Sequence, residues 1–294
     1  MKVAVIGAGT MGAGIAQVCA TAGHETSLID TSSEQLARAE AATRASLERF
    51  TAKGTLSAAE AEAVRRRLHP GTDLAAGAAG ADVVVETVVE DLEVKRDVFR
   101  EVVKVAAPDA LLGTNTSQLS ITAIGAAIPG DTGRVVGLHF FNPPVLMRLV
   151  EIVQGVTTDE RTIQRAVEFG RGLGKETVVC RKDSPGFLTS RISAIVRLEC
   201  LRMLEEGVAD AEDIDRALRL GLNFPMGPLE LGDFNGLDTY LKILTSLEQT
   251  LGERFKPTVT LRNLVAAGRL GRKTGHGIYR YDAEGCRISE PESA

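Results

Sequence analysis

His139 closes the apolar run Val135 to Leu138, and Glu151 stands twelve residues further on, inside a second apolar run from Leu149 to Val153. Oxidising an alcohol needs a base for the hydroxyl proton as hydride leaves the carbon, and imidazole suits the task because its pKa lies near working pH. A carboxylate inside an apolar strand is costly unless it is paired. Pairing Glu151 with His139 accounts for both residues: the acid orients the ring and stabilises the imidazolium. A purely structural buried pair is the competing account of the same spacing. The other three histidines have ordinary explanations. His24 sits in the loop entering the second strand, His69 abuts Pro70 after a basic helix end and is expected to interact with that terminus, and His276 lies in a glycine-rich tail.

Such an oxidation would also need a hydride acceptor and a place to bind it. Gly7-Ala8-Gly9-Thr10-Met11-Gly12 follows the strand-like Lys2 to Ile6 directly and opens an apolar helix. Gly7 permits a tight turn, Gly9 lets the backbone approach a pyrophosphate, and Gly12 allows close packing of helix on strand. The helix start, with Thr10 and Met11, offers free N–H groups and a positive dipole end to phosphate. Asp30 closes the second strand eighteen residues after Gly12. Its carboxylate can accept hydrogen bonds from ribose hydroxyls and repels a 2′-phosphate, so NAD is expected rather than NADP. A helix-capping aspartate is the alternative reading.

These groups need a scaffold, and the chain alternates short β-branched runs with amphipathic stretches over its first ~180 residues. Strands are expected at Lys2–Ile6, Thr26–Ile29, Asp82–Glu86, Leu111–Thr114, Val135–Leu138, Leu149–Val153 and Thr177–Cys180, with helices at Gly12–Ala22, Ser33–Phe50, Glu93–Val105 and Glu160–Gly170. Several strands are continuously apolar, as in parallel sheets covered on both faces. Thr31 with Glu34, and Ser57 with Glu60, have capping-box spacing, and Ser57–Leu68 reads as a charged helix forming an inserted arm with the one before it. The expected architecture is α/β: a Rossmann-type, doubly wound, mostly parallel sheet with a helical arm over residues 1–182. An all-helical substrate-binding and dimerisation domain follows over 183–294, its first helix opening at Pro185.

Composition narrows the function classes. The 294 residues carry 34 Lys+Arg against 39 Asp+Glu, a net charge of −5, which argues against nucleic acid as main partner. No apolar run approaches the ~18 residues of a membrane span. Cys19, Cys180, Cys200 and Cys286 form no CxxC pair, so neither a metal cluster nor a disulfide scaffold is expected, and a cytoplasmic location is.

Further short motifs complete the picture: Val88-Val89-Glu90-Asp91-Leu92-Glu93-Val94-Lys95, Asn115-Thr116-Ser117, His139-Phe140-Phe141-Asn142-Pro143, Ser184-Pro185-Gly186-Phe187, Pro225-Met226-Gly227-Pro228 and Lys273-Thr274-Gly275-His276-Gly277. In their order and spacing the chain resembles the L-3-hydroxyacyl-CoA dehydrogenase family, including bacterial 3-hydroxybutyryl-CoA dehydrogenases, along essentially its whole length. The resemblance implies NAD-dependent interconversion of an L-3-hydroxyacyl thioester and its 3-ketoacyl form. It makes His139 the general base, Glu151 its holder and Ser117 a hydrogen-bond partner of the substrate oxygen. Cofactor contacts then fall on Gly9, Met11, Asp30, Glu90, Lys95, Ser117, Asn142 and Lys273. Acyl-CoA contacts fall on Ser46 and Lys53 of the arm, with Lys95 and Ser117 nearby. Lysines 53, 95 and 273 would locally reverse the negative net charge where phosphates bind. A homodimer through the helical domain is implied as well.

One position departs from the family pattern PGFxxNR: Ser190 occupies the asparagine position in Pro185-Gly186-Phe187-Leu188-Thr189-Ser190-Arg191. Serine is shorter and carries one donor, so it acts through water, leaves the task to Ser117, or simply bonds its own helix backbone. That substitution keeps open the same chemistry on an acyl-carrier-protein thioester or on a branched or aromatic acyl group. A lysine-dependent β-hydroxyacid dehydrogenase and a non-catalytic NAD-binding protein are the more distant readings.

Overall fold

The structure is a computed structural model that describes residues 1–128, 130 and 132–288. The chain divides into two compact units, Met1–Phe187 and Leu188–Ala294.

In the first unit β1 (Lys2–Ile6), α1 (Thr10–Thr21) and β2 (Glu25–Ile29) lead into the arm, α2 (Ser33–Ala52) and α3 (Ala58–Arg66). Then come β3 (Leu68–Gly71), α4 (Leu74–Ala78), β4 (Val83–Glu86), α5 (Leu92–Val102), β5 (Leu111–Thr114) and α6 (Ile121–Gly125). β6 (Val135–Phe140), β7 (Leu149–Val153), α7 (Glu160–Gly172) and β8 (Glu176–Cys180) complete it. The strands form one eight-stranded sheet in the order β3-β2-β1-β4-β5-β6-β7-β8. β1 pairs in parallel with both β2 and β4, so the chain order reverses there and leaves the crevice where such sheets bind ligands. Val3, Val5, Val84, Val85, Leu112 and Val136 are fully buried between helix layers, which is why these runs are apolar throughout. The expected doubly wound sheet with its helical arm is borne out.

Within this eight-stranded sheet the pair β6–β7 is the antiparallel one. The connection, residues 141–148, is too short for the dozen or more residues that a parallel crossover needs.

Three local expectations need correction. His69 does not partner the basic end of α3; with Pro70 it belongs to β3, an unexpected edge strand paired with β2, where a proline is tolerated because one side makes no ladder. His69 Nε2 lies 2.8 Å from Glu25 Oε2. The cap of α2 is Ser32, whose hydroxyl accepts from Gln35 N at 3.2 Å, not Thr31. The expected box on α3 does form, with Ser57 and Glu60 bonded reciprocally. Helix α8 (Thr189–Glu205) opens four residues after Pro185, because Gly186 and Phe187 hold φ of 74° and 48°, which no right-handed helix accommodates.

α8 begins the second unit, followed by α9 (Ala211–Leu222), α10 (Pro228–Asn235), α11 (Leu237–Leu251) and α12 (Val259–Ala266), with a small hairpin of β9 (Arg280–Tyr281) and β10 (Arg287–Ile288). Its core gathers Leu198, Leu201, Tyr240, Leu244, Phe255 and Leu261. Two buried aspartates pin the connections. Asp215 accepts from Leu229 N and Glu230 N at the start of α10, and Asp233 from Ile278 N and Tyr279 N. Among the described residues no helix is long and apolar enough to cross a membrane, and no cluster of potential metal ligands occurs.

Candidate active site

The carboxyl edge of the sheet gathers the chemistry in the first unit. At the end of β1, Gly7 N donates to Ile29 O at 2.7 Å, and Gly7 adopts φ +98°, where a Cβ would lie 2.8 Å from Thr87 O. A Cβ on Gly12 would lie 1.7 Å from Gly7 O, so the start of α1 rests directly on the turn. Gly9 differs: a Cβ there would meet nothing within 4 Å, which leaves the loop backbone open to a ligand on that side. This cradle fits a pyrophosphate. Asp30 braces it from the end of β2, accepting from Ala8 N at 2.8 Å and from Ser32 N at 2.9 Å.

Beyond β4 lies a carboxylate network that sequence reasoning saw only in part. Glu86 and Lys95 are buried, and Lys95 Nζ donates to Glu86 Oε1 at 2.8 Å and stands 3.4 Å from Glu90 Oε2. Burial pushes the Glu86 carboxyl up, while Lys95, Thr114 and Val88 N pull it back. At 1% exposure the Lys95 ammonium is held by carboxylates and is not a surface cation offered to phosphate. Glu90 Oε1 in turn accepts from Thr116 Oγ1 and from the backbone N of Ser117 at 3.1 Å, fixing the loop that carries the Ser117 hydroxyl. Replacing Lys95 by Met leaves Glu86 buried without its cation, a loss of about 3 kcal/mol at neutral pH. Because burial raises the Glu86 pKa, protonation relieves that charge, so the deficit grows as pH rises through the pKa and shrinks in acid. Denaturant unfolding of K95M at several pH values checks both statements.

The antiparallel register of β6 and β7 sets His139 opposite Glu151. His139 Nδ1 lies 2.7 Å from Glu151 Oε2, with Glu151 wholly buried and His139 6% exposed. An Nδ1–H directed at the carboxylate leaves the Nε2 lone pair available on the far edge of the ring. Two rings hold the imidazole from the sides: Phe141 at 4.6 Å and Phe187 at 5.7 Å between centroids. Asn115, not singled out by the sequence reading, accepts from Phe140 N at 2.8 Å and ties the Ser117 loop to the strand end that bears His139. Its place in the Asn115-Thr116-Ser117 motif was the available signal.

The remaining expected residues are dispersed. Ser46 is buried on α2, and Lys53 follows that helix as its exposed C-cap. A cavity of about 490 Å³ lies beside the arm, lined among others by Phe50, Leu56, Val145, Leu146 and Lys175. Asn142 is exposed on the β6–β7 connection. Ser190 sits in the first turn of α8 in the second unit. Lys273 lies in the short turn Arg272–Thr274 of the same unit, where its ammonium pairs with Asp238 at 2.6 Å and holds that carboxyl below its ordinary range.

A dinucleotide cradle and an acid–histidine pair on one sheet edge are the equipment of a nicotinamide-dependent dehydrogenase. Residues 2–184 match the model for the 3-hydroxyacyl-CoA dehydrogenase NAD binding domain and residues 186–281 that for the 3-hydroxyacyl-CoA dehydrogenase C-terminal domain; the chain belongs to this family. It is an NAD-dependent dehydrogenase. A probable 3-hydroxybutyryl-CoA dehydrogenase of Deinococcus radiodurans is 43% identical over 282 residues, 96% of this chain and 100% of that protein. The 3-hydroxyadipyl-CoA dehydrogenase of Escherichia coli K12 is 45% identical over 96% of this chain, which spans 59% of that protein's length. The crystal structure of (S)-3-hydroxybutyryl-CoA dehydrogenase from Ralstonia eutropha has a TM-score of 0.91 at 35% identity, over 96% of this chain and 99% of that one.

Proposed function

We propose that the protein interconverts L-3-hydroxyacyl-CoA and 3-ketoacyl-CoA thioesters, with 3-hydroxybutyryl-like groups as its substrates. The observation that carries this reading is the 2.7 Å bond from His139 Nδ1 to the wholly buried Glu151. Such a pair holds one tautomer and one ring orientation, so His139 Nε2 takes the 3-hydroxyl proton and returns it in the reverse direction. The glycine cradle would hold NAD, which would supply the hydride acceptor for C3. Ser117 donates to the substrate oxygen, and Glu90 sets its loop. Gly7, Gly9, Thr10, Met11 and Gly12 hold the pyrophosphate end and Asp30 the adenosine ribose, with Glu90, Asn142 and Lys273 as further cofactor contacts and Lys95 acting from behind Glu90. Ser46 and Lys53 contact the acyl-CoA, and Ser190 takes the position of the family's substrate-holding asparagine.

NADH oxidation over a graded series of 3-ketoacyl-CoA thioesters tests the reading. The series includes the 3-ketoadipyl thioester, because of the Escherichia coli relative, together with branched, aromatic and acyl-carrier-protein-bound analogues. Turnover concentrated on short acyl-CoA supports the proposal. A preference for the protein-bound carrier would move the substrate assignment, and no oxidation of NADH with any of them would overturn it.

Asp30 provides a separate check on the cofactor. D30N keeps an acceptor at this position but removes the charge that repels a 2′-phosphate, so the ratio of kcat/KM for NADH over NADPH falls on the order of tenfold. An unchanged ratio assigns Asp30 to the loop alone.

For assembly we propose a homodimer through the helical domain, 183–294, with 1–182 as the cofactor domain, in a cytoplasmic setting. Ile192, Leu220, Leu222 and Val259 are more than half exposed on the second unit, more apolar side chain than a solvated helical face usually carries. A monomer by analytical ultracentrifugation at micromolar concentration would exclude it.

A further inference from the structure

Lys175 stands apart from the chemistry yet touches the element that connects its parts. It precedes β8 directly, and its ammonium donates to Pro144 O at 2.7 Å and to Met147 O at 2.8 Å. Both carbonyls belong to the connection between β6, which bears His139, and β7, which bears Glu151. That connection is poor in internal bonds: Leu146 N and Met147 N share a single acceptor, Pro143 O, and its two prolines donate nothing. Among the described residues no carboxylate pairs with Lys175, so its charge is directed at the loop carbonyls, and burial lowers its pKa. Ammonium-to-carbonyl bonds of this kind are roughly twice as strong as neutral ones.

The far side of the same loop rests on the cofactor helix. Pro144 is buried against Gly14 of α1, so closely that a Cβ on Gly14 would lie 2.9 Å from Pro144 Cδ. Val145 packs against the core cluster that also receives Met11 of the cradle. Lys175 on one side and α1 on the other thus clamp residues 143–147, immediately after Asn142.

We propose that Lys175 is a positioning residue of the cofactor site, holding the 143–147 loop on α1 so that Asn142 stands where the cofactor meets it. This rests on the reading of Asn142 as a cofactor contact. His139 does not depend on the clamp, because the β6–β7 ladder and Glu151 hold it separately. The effect therefore divides unevenly between binding and chemistry.

NADH fluorescence titration and steady-state kinetics on K175M, K175R and G14A test the assignment. K175M weakens NADH binding on the order of tenfold, while kcat at saturating cofactor stays within about twofold and its pH profile does not move. K175R, which keeps the charge and the donors, recovers most of the affinity. G14A drives a methyl into Pro144 and weakens NADH binding similarly without touching Lys175, and the double variant K175M/G14A adds little to either, as expected for two ends of one clamp. Because alanine favours a helix interior, G14A carries the test if K175M does not fold. NADH affinity unchanged in both variants, or a loss of kcat with affinity intact, overturns the proposal. The titration reads binding without turnover, so it remains decisive even if the role given to His139 fails.

Discussion

A His139→Gln enzyme is expected to bind NADH normally and to lose on the order of a thousandfold in kcat toward acetoacetyl-CoA. Glutamine keeps a polar side chain of similar reach, so its amide N–H can still donate to Glu151, as His139 Nδ1 does at 2.7 Å, and the fold has little reason to change. What disappears is a group that can hold a proton at one moment and release it at the next. Glu151→Gln supplies the comparison. It leaves the imidazole in place and removes the charge that stabilises its protonated form and selects its tautomer, so kcat falls steeply while the melting temperature moves less than for a truncation. A His139→Gln protein with near-normal turnover would end the assignment of the base. Equal losses of kcat and of folded protein would make the pair structural, the competing account that its spacing alone permits.

The second large effect is expected at Gly12. Alanine there places a methyl 1.7 Å from Gly7 O, an overlap of side chain with backbone that no rotamer relieves. Gly7 cannot retreat, since its N–H is bonded to Ile29 O at 2.7 Å and its carbonyl accepts from Thr87 Oγ1 at 2.9 Å. The first turn of α1 must move instead, and with it the amides proposed to face the pyrophosphate. G12A should therefore lose at least ~3 kcal/mol of stability and ~100-fold in NADH affinity. Gly9→Ala separates the two effects. Its methyl meets nothing within 4 Å, so unfolding in the absence of cofactor stays near that of the parent protein while NADH binding still falls. Denaturant melts of the two variants beside fluorescence titrations check the pair. Wild-type stability in G12A would contradict the packing of helix on turn, and wild-type affinity in G9A would move the pyrophosphate away from this loop.

Much of this architecture was legible in the chain itself. Continuous apolar runs such as Val83 to Val85 announce strands covered on both faces, and Gly7 to Gly12 followed by Asp30 announces a nucleotide loop. Where the reading went astray, the competing signal was local. Pro70 masks the edge strand β3, because its tolerance at a sheet edge depends on a neighbour, β2, over forty residues away. Pro185 looks like a helix start, and only the left-handed Gly186 and Phe187 delay the helix to Thr189.

The sequence by itself determined which groups are present: an acid–histidine pair at an apolar strand end, a glycine turn able to face phosphate, and an aspartate suited to a ribose. Tertiary structure decided how they are held. The antiparallel turn of β7 puts Glu151 opposite His139, Glu86 and Glu90 engage Lys95, Asn115 ties the Ser117 loop to the end of β6, and Lys175 reaches back to Pro144 and Met147. The physical reason is one of range. Propensity, periodicity and turn chemistry act over a few residues and are written along the chain. The partner of a buried charge is chosen by whichever element packs beside it, and that partner can lie anywhere in the sequence.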